Sequence, residues 1–62
     1  MNNKIKEFRK FKNITQEELA KRLSVTRQTV NAIEQGKYSP SLELAFKISR
    51  YFEKDIEEMF SY

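Results

Sequence analysis

Five side chains that can contact nucleic-acid bases lie close together between residues 27 and 32. Arginine can donate two hydrogen bonds to guanine, glutamine and asparagine can pair with adenine, and the methyl groups of threonine and alanine can contact that of thymine. On a helix that turns about 100° per residue from Val30, the outward side contains no Asp or Glu. It is either an ordinary solvated face or a surface that reads a DNA major groove. The residues predicted to read bases are Arg27, Gln28, Thr29, Asn31 and Ala32.

The helix that must carry these residues is predicted over Arg27–Gln35. Thr26 is a suitable N-cap, and Gly36 can adopt the left-handed conformation that ends a helix. The side expected to pack inward comprises Thr26, Val30, Ile33 and Glu34, which lie within about 60° of Val30 around the helix.

A second predicted helix, from about Gln16 to Leu23, precedes it. Thr15 followed three residues later by Glu18 is a capping-box start. Because Thr26 comes only three residues after this helix ends, the pair has the layout of a helix-turn-helix. Gln16 lies in the first turn, where backbone amides can bind a phosphate, or it is simply a polar residue at a helix start.

Three further helices complete an all-α prediction of a compact five-helix bundle. The opening helix has Ile5 and Phe8, with Phe11 or Lys12, at helical spacing and ends before Asn13. No segment has the period of a strand. The fourth helix is predicted to begin with Pro40 at its first position, after Ser39, and to pack through Leu42, Ala45, Ile48, Ser49 and Phe52. The fifth is predicted to begin at Asp55, with Glu58 three residues on, and to carry Ile56, Met59 and Phe60.

Composition excludes several classes of site. The 62 residues include no Cys and no His, so disulfides, thiolate zinc sites, cysteine nucleophiles and imidazole bases are absent. No apolar run approaches the roughly 18 residues of a membrane span, and the first residues lack the apolar stretch of a signal peptide. We expect one cytoplasmic domain over residues 1–62, without metal, cofactor, membrane association or small-molecule ligand. Enzymatic activity is not expected, because helix caps explain the acidic pairs Glu17-Glu18 and Glu57-Glu58.

The net charge of +3 is unevenly distributed. Residues 1–40 contain nine Lys or Arg against four Glu, whereas residues 41–62 contain three against five acidic residues. A basic front fits a polyanionic partner, although a solvated surface of mixed charge would also explain it. Tyr38 can donate to the DNA backbone or pack half-buried against the fourth helix. Predicted contacts to the DNA backbone are Gln16, Thr26, Gln35, Lys37 and Tyr38.

The segment ITQEELAKRLSVTRQTVNAIEQGKYSPSLELAFKI resembles the Cro/CI-type helix-turn-helix repressors, also called the Xre family. The resemblance covers nearly the whole chain and implies a lambda-repressor-like DNA-binding fold of the short, single-domain type. It implies that Gln16 binds a phosphate and that Lys37 adds a backbone contact. It also implies DNA contacts by Arg27, Gln28 and Thr29 and a groove-facing position for Ala32.

Two structural expectations follow from the same resemblance. Arg9 and Glu34 would form an ion pair that joins the first helix to the third. Relatives commonly have Gly where this chain has Ser24 and Glu53, so a left-handed backbone at either residue would cost about 1 kcal/mol or more.

The function expected from these observations is transcriptional regulation by a repressor. A homodimer would bind a pseudo-palindromic operator with half-sites about 34 Å apart. The alternative is an antitoxin-like protein that neutralises a partner protein and controls its own promoter. The predicted dimer contact comprises Met59, Phe60 and Tyr62, with Tyr51 or Phe52 adjoining, unless Phe60 only closes the core.

Overall fold

Five helices and two very short strands organise residues 1–61, the part of the chain that the computed structural model describes. The elements are β1 (Asn2–Asn3), α1 (Ile5–Phe11), α2 (Gln16–Leu23), α3 (Arg27–Glu34), α4 (Leu42–Phe52), α5 (Ile56–Met59) and β2 (Phe60–Ser61). The predicted five-helix fold, with α2 and α3 as the helix-turn-helix, is confirmed. No helix in the described part is both long and apolar enough to cross a membrane.

Threonine caps begin both helices of the motif. At α2, Thr15 Oγ1 accepts a hydrogen bond from the Glu18 backbone N–H at 3.0 Å, and Glu18 Oε1 accepts one from the Thr15 N–H at 2.8 Å. The predicted capping box is therefore confirmed, and the bond from the Thr15 backbone lowers the pKa of Glu18. At α3, Thr26 Oγ1 accepts from the Thr29 N–H at 3.1 Å.

The turn between α2 and α3 depends on a left-handed residue that is not glycine. Ser24 has φ 59° and ψ 42°, and the next N–H, that of Val25, donates to the Ala20 carbonyl at 3.0 Å. Glu53 ends α4 in the same conformation, with φ 56°. Both positions pay the steric cost expected for a residue with a side chain. The short turn sends the chain directly into α3, while the partly buried Val25 packs on the core.

The fourth helix begins two residues later than predicted. Ser41 is its N-cap, with its Oγ accepting from the Leu44 N–H at 3.2 Å, so Pro40 precedes the cap instead of opening the helix. Ser39 and Ser41 flank Pro40, and it is the Ser41 hydroxyl that accepts a hydrogen bond from a backbone N–H in the first turn of the helix. Leu42 is 69% exposed because it lies about 120° around the helix from Ile48. The buried side of α4 comprises Leu44, Ala45, Ile48, Ser49 and Phe52.

Two very short strands accompany the five helices, and the sequence pattern did not indicate them. β1 and β2 pair antiparallel, with Asn2 opposite Ser61 and Asn3 opposite Phe60. Two-residue strands are too short to show a period of two in a sequence. The pairing carries the chain end across the core, so that Met59 is 0% and Phe60 is 8% exposed. These two side chains close the core and are not free for the predicted dimer contact, and Tyr62 lies outside the described residues.

The core draws on all five helices. Its fully buried side chains include Ile5 from α1, Leu19 from α2 and Ile33 from α3. α1 ends before Asn13 as predicted. Phe11 and Lys12, the two candidates for its third inward residue, are both exposed, and Phe11 is 88% exposed. Phe11 lies about 120° around the helix from Ile5, and α1 has only two turns to offer the core. The core thus holds the inner sides of α2 and α3 and leaves their outer sides open.

Candidate nucleic-acid interface

The two sides of α3 differ as predicted, with one exception. Val30 and Ile33 are each 2% exposed and pack in the core, whereas Arg27 and Gln28 are exposed. Thr26 was expected on the inward side, but its side chain is exposed because it caps the helix from outside the first turn. The predicted base-reading residues lie on the outer side and its flanks, with Thr29, Asn31 and Ala32 half-buried there.

A shallow depression of about 240 Å³ lies on the outer side of α3. Tyr38 reaches this depression from the segment after the helix, and it is 51% exposed. The depression exists because the Ala32 side chain is small and the side chains around it are larger. Tyr38 is therefore on the same surface as the predicted reading residues. The lining residues are Thr26, Gln28, Thr29, Ala32 and Tyr38.

An ion pair anchors the opposite flank of α3, as the resemblance implied. Arg9 Nε lies 2.7 Å from Glu34 Oε2, with the two side chains 12% and 3% exposed. Arg9 Nη2 donates to Glu34 Oε1 at 3.3 Å, and Nη1 donates to the Ile14 carbonyl at 2.9 Å. One guanidinium therefore joins α1, the segment that leads into α2 and the end of α3.

The side chain of Gln16 belongs to this anchored flank. Its Nε2 donates to Glu34 Oε1 at 3.1 Å and to Asn31 Oδ1 at 3.0 Å. Both N–H groups of the amide are thus used within the protein, and neither remains for a phosphate in this conformation. What α2 can still offer a phosphate is its N-terminal backbone. Gln16 itself connects α2 to α3.

The far end of α3 is held by contacts that the sequence did not indicate. Asn3 Nδ2 donates to the Ile33 carbonyl at 2.7 Å, across 30 residues of chain. Gly36 has φ 75°, and a Cβ atom built there would lie 3.2 Å from the Met1 carbonyl oxygen, so the N-terminus also closes over this turn. Lys37 follows, exposed, with its backbone N–H bonded to the Ala32 carbonyl at 3.0 Å. No local pattern marks Asn3, because its partner is so distant in the chain.

Charge on α3 has an arrangement that suits an anionic partner. The helix has no acidic residue in its first turn, and its one carboxylate, Glu34, is nearly buried in the ion pair. Arg27 is exposed at the positive end of the helix dipole, where it would repel a cation and attract an anion. The surface presented by α3 is therefore free of exposed negative charge.

Comparison with known proteins agrees with this geometry. The model of a helix-turn-helix family matches residues 5–59. An uncharacterized HTH-type transcriptional regulator of Methanocaldococcus jannaschii is 58% identical over 62 residues, covering 100% of this chain and 94% of that protein. One of Bacillus subtilis is 50% identical over 60 residues, covering 97% of this chain and 91% of its own length.

A longer relative contains the same region as one part. The HTH-type transcriptional activator BcrR of Enterococcus faecalis is 40% identical over 60 residues, which cover 97% of this chain but 29% of BcrR. The family matched here has no enzymatic role. With the capped helix pair, the open acid-free side of α3 and these full-length similarities together, the chain belongs to the Cro/CI-type helix-turn-helix family and is a DNA-binding transcriptional regulator.

Proposed function

We propose that this protein is a repressor that binds a pseudo-palindromic operator as a homodimer, with α3 of each copy in the major groove. The observation that carries the proposal is the outer side of α3, which offers Arg27, Gln28 and Thr29 around a small Ala32 and exposes no carboxylate. A major groove admits one helix, and arginine and glutamine at its surface match the hydrogen-bonding patterns of guanine and adenine.

The remaining predicted contacts position the protein on the duplex. Thr26, Gln35, Lys37 and Tyr38 surround the reading side chains and donate to phosphates, which gives affinity without sequence preference. At the start of α2, the backbone amides beside Gln16 meet a phosphate across the groove edge. This division of roles separates variants that change specificity from variants that change affinity alone.

Selection of bound sites from random DNA, followed by affinity measurements, tests the proposal. We expect selected sites to contain two half-sites one helical turn apart, about 34 Å. Gln28→Ala should relax the preference at one base pair of each half-site by about 1 to 3 kcal/mol. Lys37→Ala should weaken all sequences alike and reduce the slope of log K against log salt by about one unit.

Lys47→Ala is the matched control for Lys37, because Lys47 is an exposed lysine on α4 outside the proposed contact. It should leave both specificity and salt slope unchanged. If Gln28→Ala and Lys37→Ala bind every sequence as the unaltered protein does, the groove assignment is wrong.

The homodimer needs a contact other than Met59 and Phe60, and α4 offers one. Leu42 and Phe46, one turn apart, are 69% and 48% exposed. Beside Phe46 a groove of about 570 Å³ has both positive and negative side chains, including Arg50 and Glu53. In a two-fold contact, if Arg50 of one copy faces Glu53 of the second copy, Glu53 of the first faces Arg50 of the second. A surface with both charges can therefore bind a second copy of itself.

Sedimentation of variants tests the contact on α4. The unaltered protein should be dimeric at micromolar concentration or on operator DNA, and Phe46→Lys should dissociate it. Phe11→Lys is the control, since Phe11 is a still more exposed aromatic residue on α1. If Phe11→Lys dissociates the dimer and Phe46→Lys does not, the contact lies on α1, and a protein that stays monomeric on its operator contradicts the two-half-site proposal.

The repressor assignment rests on the family resemblance and has its own test. In transcription in vitro from a promoter that contains the selected site, we expect the protein to reduce transcript. BcrR is named an activator, so increased transcript from the same template would reverse the sign of regulation and leave the DNA-binding proposal intact.

A further inference from the structure

A relay of side-chain hydrogen bonds leads from the buried ion pair to the surface of α3. Its first member is the Glu34 carboxylate, which pairs with Arg9 and accepts a bond from Gln16 Nε2 at 3.1 Å. A carboxylate in an ion pair with arginine only accepts hydrogen bonds. The charge of Glu34 therefore requires Gln16 to turn its NH₂ group, and not its oxygen, toward α3.

The second hydrogen bond of the relay fixes the orientation of the Asn31 side-chain amide. The other N–H of Gln16 donates to Asn31 Oδ1 at 3.0 Å. Because an amide nitrogen can only donate, Asn31 must present its oxygen to Gln16 and direct its own NH₂ group away. Gln35 Nε2 lies 3.4 Å from the same Asn31 oxygen. Among residues 1–61, neither N–H of Asn31 Nδ2 has an acceptor, while the oxygen has two donors.

We infer that Asn31 meets DNA only as a hydrogen-bond donor, and that Gln16 is the positioning residue that sets this polarity. The inference rests on the proposed DNA-binding function. The group that Asn31 contacts is an acceptor: a phosphate oxygen, O6 or N7 of guanine, N7 of adenine, or O4 of thymine. The two-bond pairing with N6 and N7 of adenine requires a donor and an acceptor from the same amide, and the relay occupies the acceptor. Asn31 is thus not the adenine reader that its residue type predicts.

The relay can be tested without DNA. In the ¹⁵N-labelled free protein, the side-chain NH₂ protons of Gln16 should exchange with water more slowly than those of Gln28, which is exposed without a partner among the described residues. The NH₂ protons of Asn31 should exchange about as fast as those of Gln28. Equal exchange at Gln16 and Gln28 would show that the relay does not persist in solution and would overturn the inference.

The contact with DNA is tested by Asn31→Ala on the selected operator and on half-sites changed at single positions. Loss of one donated bond to a base or a phosphate should weaken binding about tenfold. If the acceptor is a phosphate, all half-sites weaken equally. If it is a base, only half-sites with guanine, adenine or thymine at one position weaken. Gln16→Met, which removes one of the two donors to the Asn31 oxygen, should then raise the affinity for adenine relative to guanine at that position.

Two results would overturn the inference while the proposed function stands. One is an Asn31→Ala protein that binds every half-site like the Lys47→Ala control. The other is an Asn31→Ala protein that loses a preference for adenine over guanine, because only the contact with adenine N6 distinguishes the two in this direction and it needs the oxygen that the relay occupies. If the unaltered protein binds no selected DNA, the proposed function fails and the inference with it, whereas slow exchange at Gln16 would still demonstrate the relay.

Discussion

α2 and α3 each have eight residues and a threonine N-cap, but their charges run in opposite order along the helix. α2 has Glu17 and Glu18 in its first turn and basic residues in its last turn, which favours the helix dipole at both ends. α3 begins with Arg27 and ends with Glu34, which opposes the dipole at both ends by a few tenths of a kcal/mol or more each. The charges of α2 thus stabilise the helix on its own. Those of α3 do not, and α3 is the helix whose outer side is proposed to face DNA.

Tertiary contacts replace the stability that α3 lacks locally. The unfavourable carboxylate at its end is compensated by Arg9, and the Ile33 carbonyl accepts a bond from Asn3. α2 takes part through Gln16, which bonds to both Glu34 and Asn31. α3 therefore depends on residues far away in the chain, while Arg27 and Gln28 on its outer side remain exposed.

The largest effect is expected from removing the carboxylate that holds α3. Glu34→Ala leaves Arg9 nearly buried without its counter-ion and should lower the free energy of unfolding by about 3 to 5 kcal/mol. Urea denaturation measures this change. Glu7→Ala, which removes an exposed carboxylate from the first turn of α1, is the control and should cost no more than about 1 kcal/mol. Equal effects of the two substitutions would mean that α3 does not depend on the ion pair.

Reversing the charge at the start of α3 should separate stability from binding. Arg27→Glu places a negative charge at the positive end of the dipole, so the free energy of unfolding should rise by about 0.3 to 1 kcal/mol. The same substitution removes a base or phosphate contact and should weaken operator binding at least about tenfold.

The matched control for Arg27 lies at the other end of α2. Arg22→Glu puts the same charge change where the dipole is negative, so it should destabilise the protein by a similar amount. Its effect on operator binding should be smaller than that of Arg27→Glu. If both substitutions change stability in the same direction, the contrast in dipole order between α2 and α3 does not govern their stability.

The smallest effect concerns the two caps, of which only that of α2 contains a carboxylate. Because hydrogen bonding from Thr15 lowers the pKa of Glu18 in the folded protein, this group adds stability at pH values above its unfolded pKa. The contribution is lost as pH falls through the lowered folded pKa. Unfolding free energies measured across this acidic range should therefore fall less in Glu18→Gln than in the unaltered protein and in Glu17→Gln.

The outer side of α3 could be predicted from local spacing alone, since the period of a helix separates Val30 and Ile33 from Gln28 and Ala32. The start of α4 was predicted wrongly at Pro40 after Ser39. Serine on either side of Pro40 is a good cap in the sequence, and the structure uses Ser41, whose Oγ accepts from the Leu44 N–H. The burial of Met59 in the core, and the choice between the two roles left open for Phe60, could not be predicted for a related reason. An apolar pair near the chain end looks the same whether it closes its own core or contacts a second copy.

Local chemistry in the sequence determined the capped helices, the short turn and the acid-free side of α3, because each depends on residues within about one turn of each other. The tertiary structure alone decided how Asn3 and Arg9 hold α3, how the two-residue strands close the core, and which atom of Asn31 is free. These depend on partners that the fold brings together, and an amide has no preferred direction until a charge such as that of Glu34 orients it.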